Sequence, residues 1–405
     1  MNVSMKKMIY DRLTGRETSL AVIGLGYVGV PVALRFARCF DVVGYDMDAR
    51  RIEKLREKYG AGCGSIRFTS LEEELSRAAF YIVTVLTPVD ERKNPDLTCL
   101  VEATRTVARY LKRGDYVVYE STVYPGCTEE EKGSGLKLGA DFKVGYSPER
   151  INPNDSEHTF SNTAKIVSAN DGQALDEVAR VYAEVVAADL CRASGIRVAE
   201  AAKMTENVQR SVNIALMNEL QRLFSRMGID MGEVIDMASS KWNFVKYRPG
   251  LGGGHCIPVD PLYLVSAASK LGVEMPVTSS GCAVNDGMAA YVVRSLLGAM
   301  GSDGRGARAL LMGVTYKENI DDIRNSRIAE MVGLLEREGM SVDVTDPHAD
   351  PDKVYAMYGI RPVPALRPPY DLIVVAVAHD EYRGRRLFPL HLPRGGPVGR
   401  HSRTL

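Results

Sequence analysis

The sequence predicts an α/β protein in which two doubly wound domains are joined by a long central helix. Short apolar stretches alternate with helical patterns in the first part of the chain, and the same alternation returns in the last third. Between these parts, residues 198–227 keep apolar side chains at helical spacing with no proline or glycine among them. A helix of that length, about 45 Å, can link two domains and often forms the seam of a dimer.

Composition limits the class of protein and its partners. The chain has 405 residues, enough for two or three domains, and its 51 basic and 51 acidic residues cancel. No basic patch favours nucleic acid, and no apolar run approaches the roughly 18 residues that span a membrane. The start of the chain has no signal-peptide pattern. The seven cysteines lack CxxC spacing, which favours reduced thiols in a cytoplasmic protein over disulfides or a metal site.

A dinucleotide fingerprint opens the first domain. Residues 19–23 form a predicted strand that ends at Gly24, a helical pattern runs from about 27 to 39, and a strand at 41–45 closes with Asp46. Glycines allow a tight turn and the approach of a pyrophosphate to the helix N-terminus, and an acid 22 residues later can bind ribose hydroxyls. The pattern predicts a Rossmann-type site; an ordinary strand–helix turn is the alternative.

The acid after the second strand also bears on which cofactor binds. Asp46 favours NAD over NADP, because a carboxylate repels a 2′-phosphate. Arg50 and Arg51 weigh against this choice, since arginine can accept such a phosphate. The prediction is NAD.

Three more predicted strands, at 80–85, 116–119 and 143–146, continue the alternation with a helix at 97–111. Ligands bind at the carboxyl ends of parallel strands. For two of the polar residues there, a second interpretation is equally good, namely that they cap the next helix; these two are Thr87 and Ser121. The other polar residues at such ends are Thr122 and Glu149.

The predicted long helix carries Lys203 and Asn207 one turn apart on one face. Taken alone, Lys203 is more simply explained as a surface partner of Glu200 or Glu206.

A cysteine follows a glycine loop in the middle of the chain. Cys256 comes directly after Gly252–His255, and Asp260 lies four residues later. Glycines allow close approach of a substrate, which argues against a buried structural thiol, the default for the other six cysteines. A thiol with a pKa of about 8.5 needs a nearby cation or a helix N-terminus to react as thiolate at neutral pH. Lys203 is the candidate cation.

The last third contains a second nucleotide-binding half. Helical regions at 261–271 and 282–300 precede it, and it consists of strands at 307–312, 341–344 and 371–377 with a helix at 326–338. The loop after its first strand carries two basic residues suited to phosphate groups, and solvated loop charges are the alternative. They are Lys317 and Arg324.

Seven motifs together resemble the UDP-glucose/GDP-mannose dehydrogenase family over nearly the whole chain. They are GLGYVG, YESTVYPGCTEEE, GYSPERINP, VAEAAKMTENVQRSVNIALMNEL, SKWNF, RPGLGGGHCIPVDP and YKENIDDIRNS. Within that family the chain is most similar to the UDP-N-acetylhexosamine 6-dehydrogenases of the Vi-polysaccharide and O-antigen type. The resemblance implies an NAD-binding Rossmann domain at 1–195 and a central helical dimerisation domain at 196–300, which carries the catalytic cysteine in a loop. It also implies a UDP-sugar-binding Rossmann-like domain at 301–388 and an irregular tail at 389–405.

The resemblance also implies a reaction. Two hydride transfers to two NAD+ take the sugar C6 alcohol to a carboxylate, through a thiohemiacetal and a thioester on Cys256, for surface polysaccharide precursors. By motif, Lys203 and Asn207 stabilise oxyanions and Asp260 holds Lys203 or orients water. Glu149 and Thr122 position the hydrolytic water or act as base.

The ligand contacts and the assembly follow from the same resemblance. The implied cofactor contacts are Gly24, Gly26, Tyr27, Val28, Gly29, Asp46, Arg51, Thr87, Ser121 and Arg324. The implied UDP-sugar contacts are Tyr247, Arg248, Gly250, Gly252, Gly253, Tyr316 and Lys317. A homodimer or larger homo-oligomer is implied, formed through the central helix, with a residue near Lys241 reaching the partner's sugar.

Three departures from the family pattern are visible. The chain is several residues short between 131 and 135, and arginines expected within 281–286 are absent. After Phe388, three prolines and no apolar periodicity predict an irregular end to a truncated last domain. Three alternatives therefore stay open: a UDP-glucose or UDP-ManNAc 6-dehydrogenase, a two-electron hydroxyacid-type dehydrogenase that does not need Cys256, and a nucleotide-sugar-binding protein without catalysis.

Overall fold

The computed structural model describes residues 7–60, 64–130, 136–150 and 157–383. The chain forms two compact units. The first unit comprises Met1–Glu206 and Leu262–Gly272, and the second comprises Asn207–Pro261 and Val273–Leu405.

An eight-stranded sheet forms the centre of the first unit, in the order β3-β2-β1-β4-β5-β6-β7-β8. The first six strands follow the order of a doubly wound dinucleotide fold and are parallel, whereas β7 runs antiparallel to β6. The strands are β1 (Ser19–Ile23), β2 (Val42–Tyr45), β3 (Ile66–Thr69), β4 (Ala78–Val83), β5 (Tyr116–Tyr119), β6 (Lys143–Tyr146), β7 (Lys165–Ala169) and β8 (Leu190–Arg192).

Burial of apolar residues on both faces explains why these strands form. Every residue of β4 is buried, as is every residue of β5, which is typical of a parallel sheet covered on both sides. Phe36 and Tyr182, from two of the covering helices, meet edge to face in the same core. The helices of this part are α1 (Ile9–Thr14), α2 (Gly29–Phe36), α3 (Ala49–Tyr59), α4 (Thr98–Tyr110), α5 (Cys127–Glu130) and α6 (Gly172–Ala183).

The chain passes from the first unit to the second within α7 (Ile196–Met227). This helix confirms the predicted long helix at 198–227. Four helices follow it before the second sheet begins, and the second of them starts at Cys256. They are α8 (Met231–Ala238), α9 (Cys256–Lys270), α10 (Pro276–Asp286) and α11 (Met288–Met300).

The second unit contains a three-stranded parallel sheet in the order β10-β9-β11. Leu311, Val344 and Val374, one from each strand, are buried with Met331 and Leu335 of the adjacent helix. The elements are β9 (Arg308–Met312), α12 (Arg327–Arg337), β10 (Ser341–Thr345), α13 (Pro351–Tyr358) and β11 (Leu372–Val375).

The predicted fold class is confirmed, with differences in individual elements. Strands predicted at 116–119 and 143–146 have those bounds. The region predicted as helical over 282–300 is helical, and Gly287 divides it between the end of α10 and the whole of α11. The helix predicted from Pro261 begins five residues earlier, at Cys256.

Two predicted departures lie outside the described residues, namely the shortened segment at 131–135 and the irregular end at 389–405. Across the described ranges, no helix combines the length and the apolar character needed to cross a membrane.

Candidate active site

The glycine turn after β1 leaves room beside one of its three glycines. Gly24 has a φ of +90°, and a Cβ there would lie 2.8 Å from Val85. A Cβ on Gly29, the first residue of α2, would lie 1.9 Å from the carbonyl oxygen of Gly24. Gly26 differs, because its Cβ would meet only the Arg51 guanidinium, at 3.8 Å. The turn therefore fits a pyrophosphate that approaches the backbone at Gly26; Tyr27 next to it is 46% exposed, and Val28 packs partly buried against the core.

Asp46 is held at the carboxyl end of β2 by its own turn. One carboxylate oxygen accepts the Leu25 N–H at 2.8 Å and the other accepts the Asp48 N–H at 3.0 Å. The Arg51 guanidinium lies 3.9 Å away and also donates to the Leu25 carbonyl. Arg51 thus has a partner in this carboxylate, which lessens its weight as an argument for NADP.

Thr87 and Ser121 do not cap helices. The Ser121 hydroxyl donates to the Val85 carbonyl at 2.7 Å and so ties the end of β5 to the loop after β4. Thr87 is buried, and the next helix, α4, begins eleven residues later behind Leu97, which provides no side-chain cap. The capping interpretation is wrong for both residues, and their contact with the cofactor stays a prediction.

Glu149 belongs to a cluster of buried charges. The Lys165 ammonium lies 3.5 Å from the Glu149 carboxylate and 2.9 Å from that of Glu120. Burial raises the pKa of Glu120, although the Lys165 charge opposes this shift. Burial alone would lower the pKa of Lys165, but the two carboxylates outweigh it and the pKa lies above its usual value. Thr122, two residues beyond Glu120, is partly buried.

Lys203 is a buried residue of α7, with 7% of its surface exposed. Its predicted surface partners are engaged elsewhere. Glu200 accepts the backbone N–H groups of Gly126 and Thr128, and Glu206 pairs with Arg150 at 2.7 Å. The interpretation of Lys203 as a surface ion-pair residue is therefore wrong.

Asn207 and Asp260 come together in the second unit, where the Asn207 amide donates to the Asp260 carboxylate. Asp260 is fully buried, one turn after Cys256 on α9, so these two side chains share a helix face.

Cys256 is exposed and is the first residue of α9. The expectation of a cysteine within a loop is wrong in this respect, and so is the alternative of a buried thiol. A helix N-terminus stabilises a thiolate, because unpaired N–H groups and the helix dipole favour negative charge. The position supplies the helix N-terminus, one of the two alternatives by which the Cys256 thiol can react as thiolate at neutral pH.

The glycines before Cys256 accommodate an aromatic ring. A Cβ on Gly254 would lie 2.8 Å from the Tyr316 ring, and one on Gly253 would lie 3.0 Å from the Cβ of Tyr316. Asn325 donates to the Gly254 carbonyl and fixes the loop from the other side. Burial, followed by the charges of Asp322 and Cys256, raises the pKa of Tyr316 to about 12. The structure thus brings Tyr316 and Cys256 together.

The two basic residues of the following loop have different surroundings. Arg324 forms a forked pair with Asp322, and this pairing raises the pKa of the guanidinium. A phosphate would therefore compete with a carboxylate already in place. Lys317 is partly buried in the same loop.

The remaining predicted sugar contacts lie around the segment before the glycines. Tyr247 packs against a small apolar cluster that contains Met217, and Arg248 lies 3.6 Å from Asp236. Asn218 on α7 bonds both backbone groups of Gly250, at 2.9 and 3.0 Å. Gly250 has open space where a side chain would be, and Gly252 has a φ of +55°.

A histidine cluster lies at the carboxyl ends of the second sheet. His348, His379 and Glu381 place potential metal ligands within 4.8 Å of one another. His379 is fully buried, accepts the Asn319 N–H at 2.9 Å through Nδ1, and lies 3.2 Å from Asp346 through Nε2. Both ring nitrogens thus have hydrogen-bond partners within the protein, and the bond from Asn319 orders the loop that carries Lys317.

The sequence motifs did not indicate Lys165, Asn218 or His379 as site residues, because each contacts a residue far away in sequence. One signal was available for Asp346, which follows β10 as Asp46 follows β2.

Comparison with known proteins supports the fold and the cofactor. Sequence models of the UDP-glucose/GDP-mannose dehydrogenase family match residues 18–186 (NAD binding domain), 197–287 (central domain) and 310–390 (UDP binding domain). The NAD prediction is thereby confirmed.

Individual relatives match over most of the chain. The UDP-N-acetyl-D-glucosamine 6-dehydrogenase of Pseudomonas aeruginosa is 45% identical over 388 residues, which cover 91% of this chain and 92% of that protein. The enzyme of the same name from Salmonella typhi is 44% identical over 387 residues, 91% of each chain. The solved UDP-D-ManNAc dehydrogenase from Pyrococcus horikoshii superposes with a TM-score of 0.80 at 30% identity, covering 89% of this chain and 90% of that one. The chain belongs to the UDP-glucose/GDP-mannose dehydrogenase family of NAD-dependent oxidoreductases.

Proposed function

We propose that this chain oxidises the C6 alcohol of a UDP-N-acetylhexosamine to the carboxylic acid, in two hydride transfers, for surface polysaccharide precursors. The observation that carries the proposal is Cys256, an exposed thiol at the N-terminus of α9 beside Tyr316. Two relatives with 45% and 44% identity are named UDP-N-acetyl-D-glucosamine 6-dehydrogenases, which makes UDP-GlcNAc the first substrate to test.

The residues of the chain have separate parts in this reaction. NAD, when bound, accepts the hydride in each oxidation. Cys256 adds to the aldehyde left by the first oxidation, and the second oxidation converts the thiohemiacetal to a thioester. Water then releases the acid and returns the thiol, with Glu149 and Thr122 as the groups that position the water or take its proton.

The oxyanions formed along this path need hydrogen-bond donors. Lys203 and Asn207 are assigned that part, and a lost donor of this kind typically slows a reaction by about 10²–10³-fold. The contact between Asn207 and the buried Asp260 supports the assignment, because it fixes the amide in one orientation.

We further propose the NAD, UDP-sugar and domain assignments that the sequence implied, with domains at 1–195, 196–300 and 301–388. The open space beside Gly26 and the tethered Asp46 support the cofactor contacts. A homodimer or larger assembly through α7 is supported by its exposed apolar residues, Leu216, Leu223 and Met227. The six cysteines that the structure describes form no disulfide with one another, which supports a cytoplasmic location.

Product analysis tests the function directly. UDP-GlcNAc, UDP-GalNAc, UDP-ManNAc and UDP-glucose are each incubated with NAD, and the NADH formed per acid is counted. We expect two NADH per acid, and faster turnover of an N-acetylhexosamine than of UDP-glucose. One NADH per product and no acid would reject the four-electron reaction, and binding without turnover would select the non-catalytic alternative.

A cysteine substitution tests the covalent step. Cys256→Ala should form no acid and at most one NADH per UDP-sugar molecule consumed, because the aldehyde has no sulfur to hold it for the second oxidation. The matched control is Cys191→Ser, which changes another exposed thiol and should leave the stoichiometry at two. Acid formation at the wild-type rate by Cys256→Ala would contradict the mechanism.

A further inference from the structure

The reversal of one strand brings a lysine to the ligand-binding edge of the first sheet. Glu120 directly follows β5, and Glu149 lies three residues after β6, so both carboxylates are at carboxyl ends. Lys165 starts β7, which runs antiparallel to β6 with Tyr146 opposite Ser168. Continuing that register by three residues sets Glu149 opposite Lys165.

The Lys165 side chain is almost completely buried, and its ammonium forms hydrogen bonds with protein groups. Its side chain is 5% exposed, and the ammonium donates to Glu120 at 2.9 Å and to the Pro148 carbonyl at 3.3 Å. It also lies 4.7 Å from the centre of the Phe160 ring. An ammonium in this position depends on the carboxylates, because protein groups must replace its hydration.

The three side chains of the cluster differ in solvent exposure, and this difference indicates a different role for each of them. Glu120 is fully buried and also accepts the Tyr182 hydroxyl at 2.6 Å. Glu149 is 12% exposed, the highest value of the three, and its other oxygen accepts the Arg150 N–H at 2.7 Å. Glu149 is therefore the member through which the cluster meets solvent or a ligand.

The charges of the cluster do not cancel. Two carboxylates share one ammonium, and burial, together with the nearby Glu149 charge, raises the pKa of Glu120. Among the described residues, Tyr182 of α6 also faces this cluster and is neutral, and the Arg150 guanidinium pairs with Glu206 of α7 at 2.7 Å. Within the same part of the chain, the Lys165 ammonium lies within 4 Å of both carboxylates.

We propose that Lys165 is a positioning residue for the hydrolytic step, holding the Glu149 carboxylate in place so that it can take the proton of the attacking water. The inference rests on the proposed function. In the step itself, water loses a proton to Glu149, its oxygen bonds to the thioester carbon, the C–S bond breaks, and the Cys256 sulfur leaves as thiolate. Lys165 touches neither the water nor the substrate.

Rapid mixing of enzyme with NAD and UDP-GlcNAc separates the steps. In Lys165→Met we expect a burst of two NADH per active site, then a steady rate at least about tenfold slower than wild type, since general-base catalysis contributes about 10²–10⁴-fold. Intact-protein mass should show the sugar nucleotide acyl adduct on Cys256. The acid limb of the steady-state pH profile should move to higher pH, because Glu120, whose pKa burial raises, loses the Lys165 charge that opposes this shift.

Three further variants keep the inference falsifiable. Lys165→Arg should restore much of the hydrolysis, and Glu120→Gln, which keeps the Lys165–Glu149 pair, should hydrolyse without the upward shift of the acid limb. Lys143→Met removes another partly buried ion-pairing lysine, at the opposite end of β6, and should leave burst and profile unchanged. If Lys165→Met does not fold, the arginine and glutamine variants decide.

The outcomes distinguish this inference from the proposed function. A wild-type enzyme that forms one NADH per product overturns the proposed function, and this inference with it. Two NADH in the wild type, together with unchanged hydrolysis in Lys165→Met, overturns only the part given to Lys165. The same holds if both hydride transfers and hydrolysis slow equally in Lys165→Met, Lys165→Arg and Glu120→Gln, since that pattern indicates a purely structural cluster.

Discussion

At the scale of single residues, two glycines of the same turn have different surroundings. A Cβ on Gly29 would clash with the Gly24 carbonyl at 1.9 Å, whereas one on Gly26 would have its nearest neighbour at 3.8 Å. We expect Gly29→Ala to destabilise the protein by about 1–3 kcal/mol, as overpacking does. Gly26→Ala should leave the Tm unchanged and raise the KM for NAD, because the methyl group occupies the approach of the pyrophosphate.

Thermal unfolding without NAD and initial rates at varied NAD measure the two effects separately. Gly172→Ala, at a position with no atom within 4 Å of the added Cβ, is the control for a glycine substitution as such. Equal changes of Tm in Gly26→Ala and Gly29→Ala would contradict the distinction.

Residue spacing alone predicted the glycine turn, Asp46 and the pair at 203/207, because each is local or repeats at one helical turn. It did not predict that Cys256 and Asp260 share a helix face, since the helix was expected to begin at Pro261. It could not predict that Lys203 is buried, since burial depends on what packs around the helix. The role of Lys165 could not be predicted from the sequence for a different reason. Its contact with Glu149 exists because one strand is antiparallel, and strand direction is a property of the whole sheet.

At the scale of elements, a buried amide network joins α10 to α7. Asn285 donates to the Ser211 carbonyl at 3.1 Å and accepts from Asn218 at 2.9 Å. Gly281 of the same helix packs against Val212 and is buried. These contacts give a physical reason why 281–286 has no arginines here: the helix face is occupied by small and amide side chains that are buried against α7.

The network makes a testable link between helix packing and substrate binding. Asn285→Ala leaves buried partners without a hydrogen bond, which costs about 1–3 kcal/mol of unfolding free energy. Because Asn218 also holds Gly250, its reorientation should raise the KM for UDP-GlcNAc more than the KM for NAD. Urea unfolding and initial rates measure both, with Ser279→Ala on the exposed face of α10 as control. A stability loss without any change in the KM for UDP-GlcNAc would refute the link.

The bounds of elements followed the sequence where a local signal exists. Strands β5 and β6 were predicted to the residue from their apolar runs. The start of α9 was missed, because the helical region was predicted from Pro261. Pro258 lies in the first turn of α9, where proline is tolerated, whereas Pro261 lies inside the helix. The break at Gly287 was not predicted, although Asn285, Asp286 and Gly287 are turn-forming residues.

At the scale of the whole molecule, the same arrangement of a glycine turn and an aspartate occurs in each of the two units. In the first unit Gly24 bonds the last carbonyl of β2, and in the second Gly313 bonds the last carbonyl of β10, at 2.9 and 2.7 Å. Both glycines have positive φ, of +90° and +98°. An aspartate follows the second strand in each case, Asp46 and Asp346, and in each it accepts an N–H of the glycine turn, at 2.8 and 2.6 Å.

The two aspartates differ in how completely they are used. Asp46 accepts two backbone N–H groups and is 13% exposed. Asp346 is fully buried and accepts four, with His379 as a further partner. Burial alone would raise the pKa of Asp346, but the hydrogen bonds from His379 and the backbone hold it well below its usual value. Asp46 can therefore still accept hydrogen bonds from a ligand, whereas the hydrogen bonds of Asp346 stabilise the fold of the second unit.

The same substitution at both sites should therefore have opposite effects on binding and stability. Asp46→Asn should raise the KM for NAD with a small change in stability. Asp346→Asn should lower the unfolding free energy by about 2–3 kcal/mol near pH 7, since hydrogen bonds to a charged group are lost. A depressed folded-state pKa stabilises the protein fully above the unfolded-state pKa of about 3.9, and this contribution fades as the pH falls toward the folded-state value. Urea titrations of both variants and the wild type from pH 7 to pH 3 should show the gap between wild type and Asp346→Asn narrowing below about pH 4; a gap that stays constant would mean that the carboxylate charge is not what stabilises the second unit.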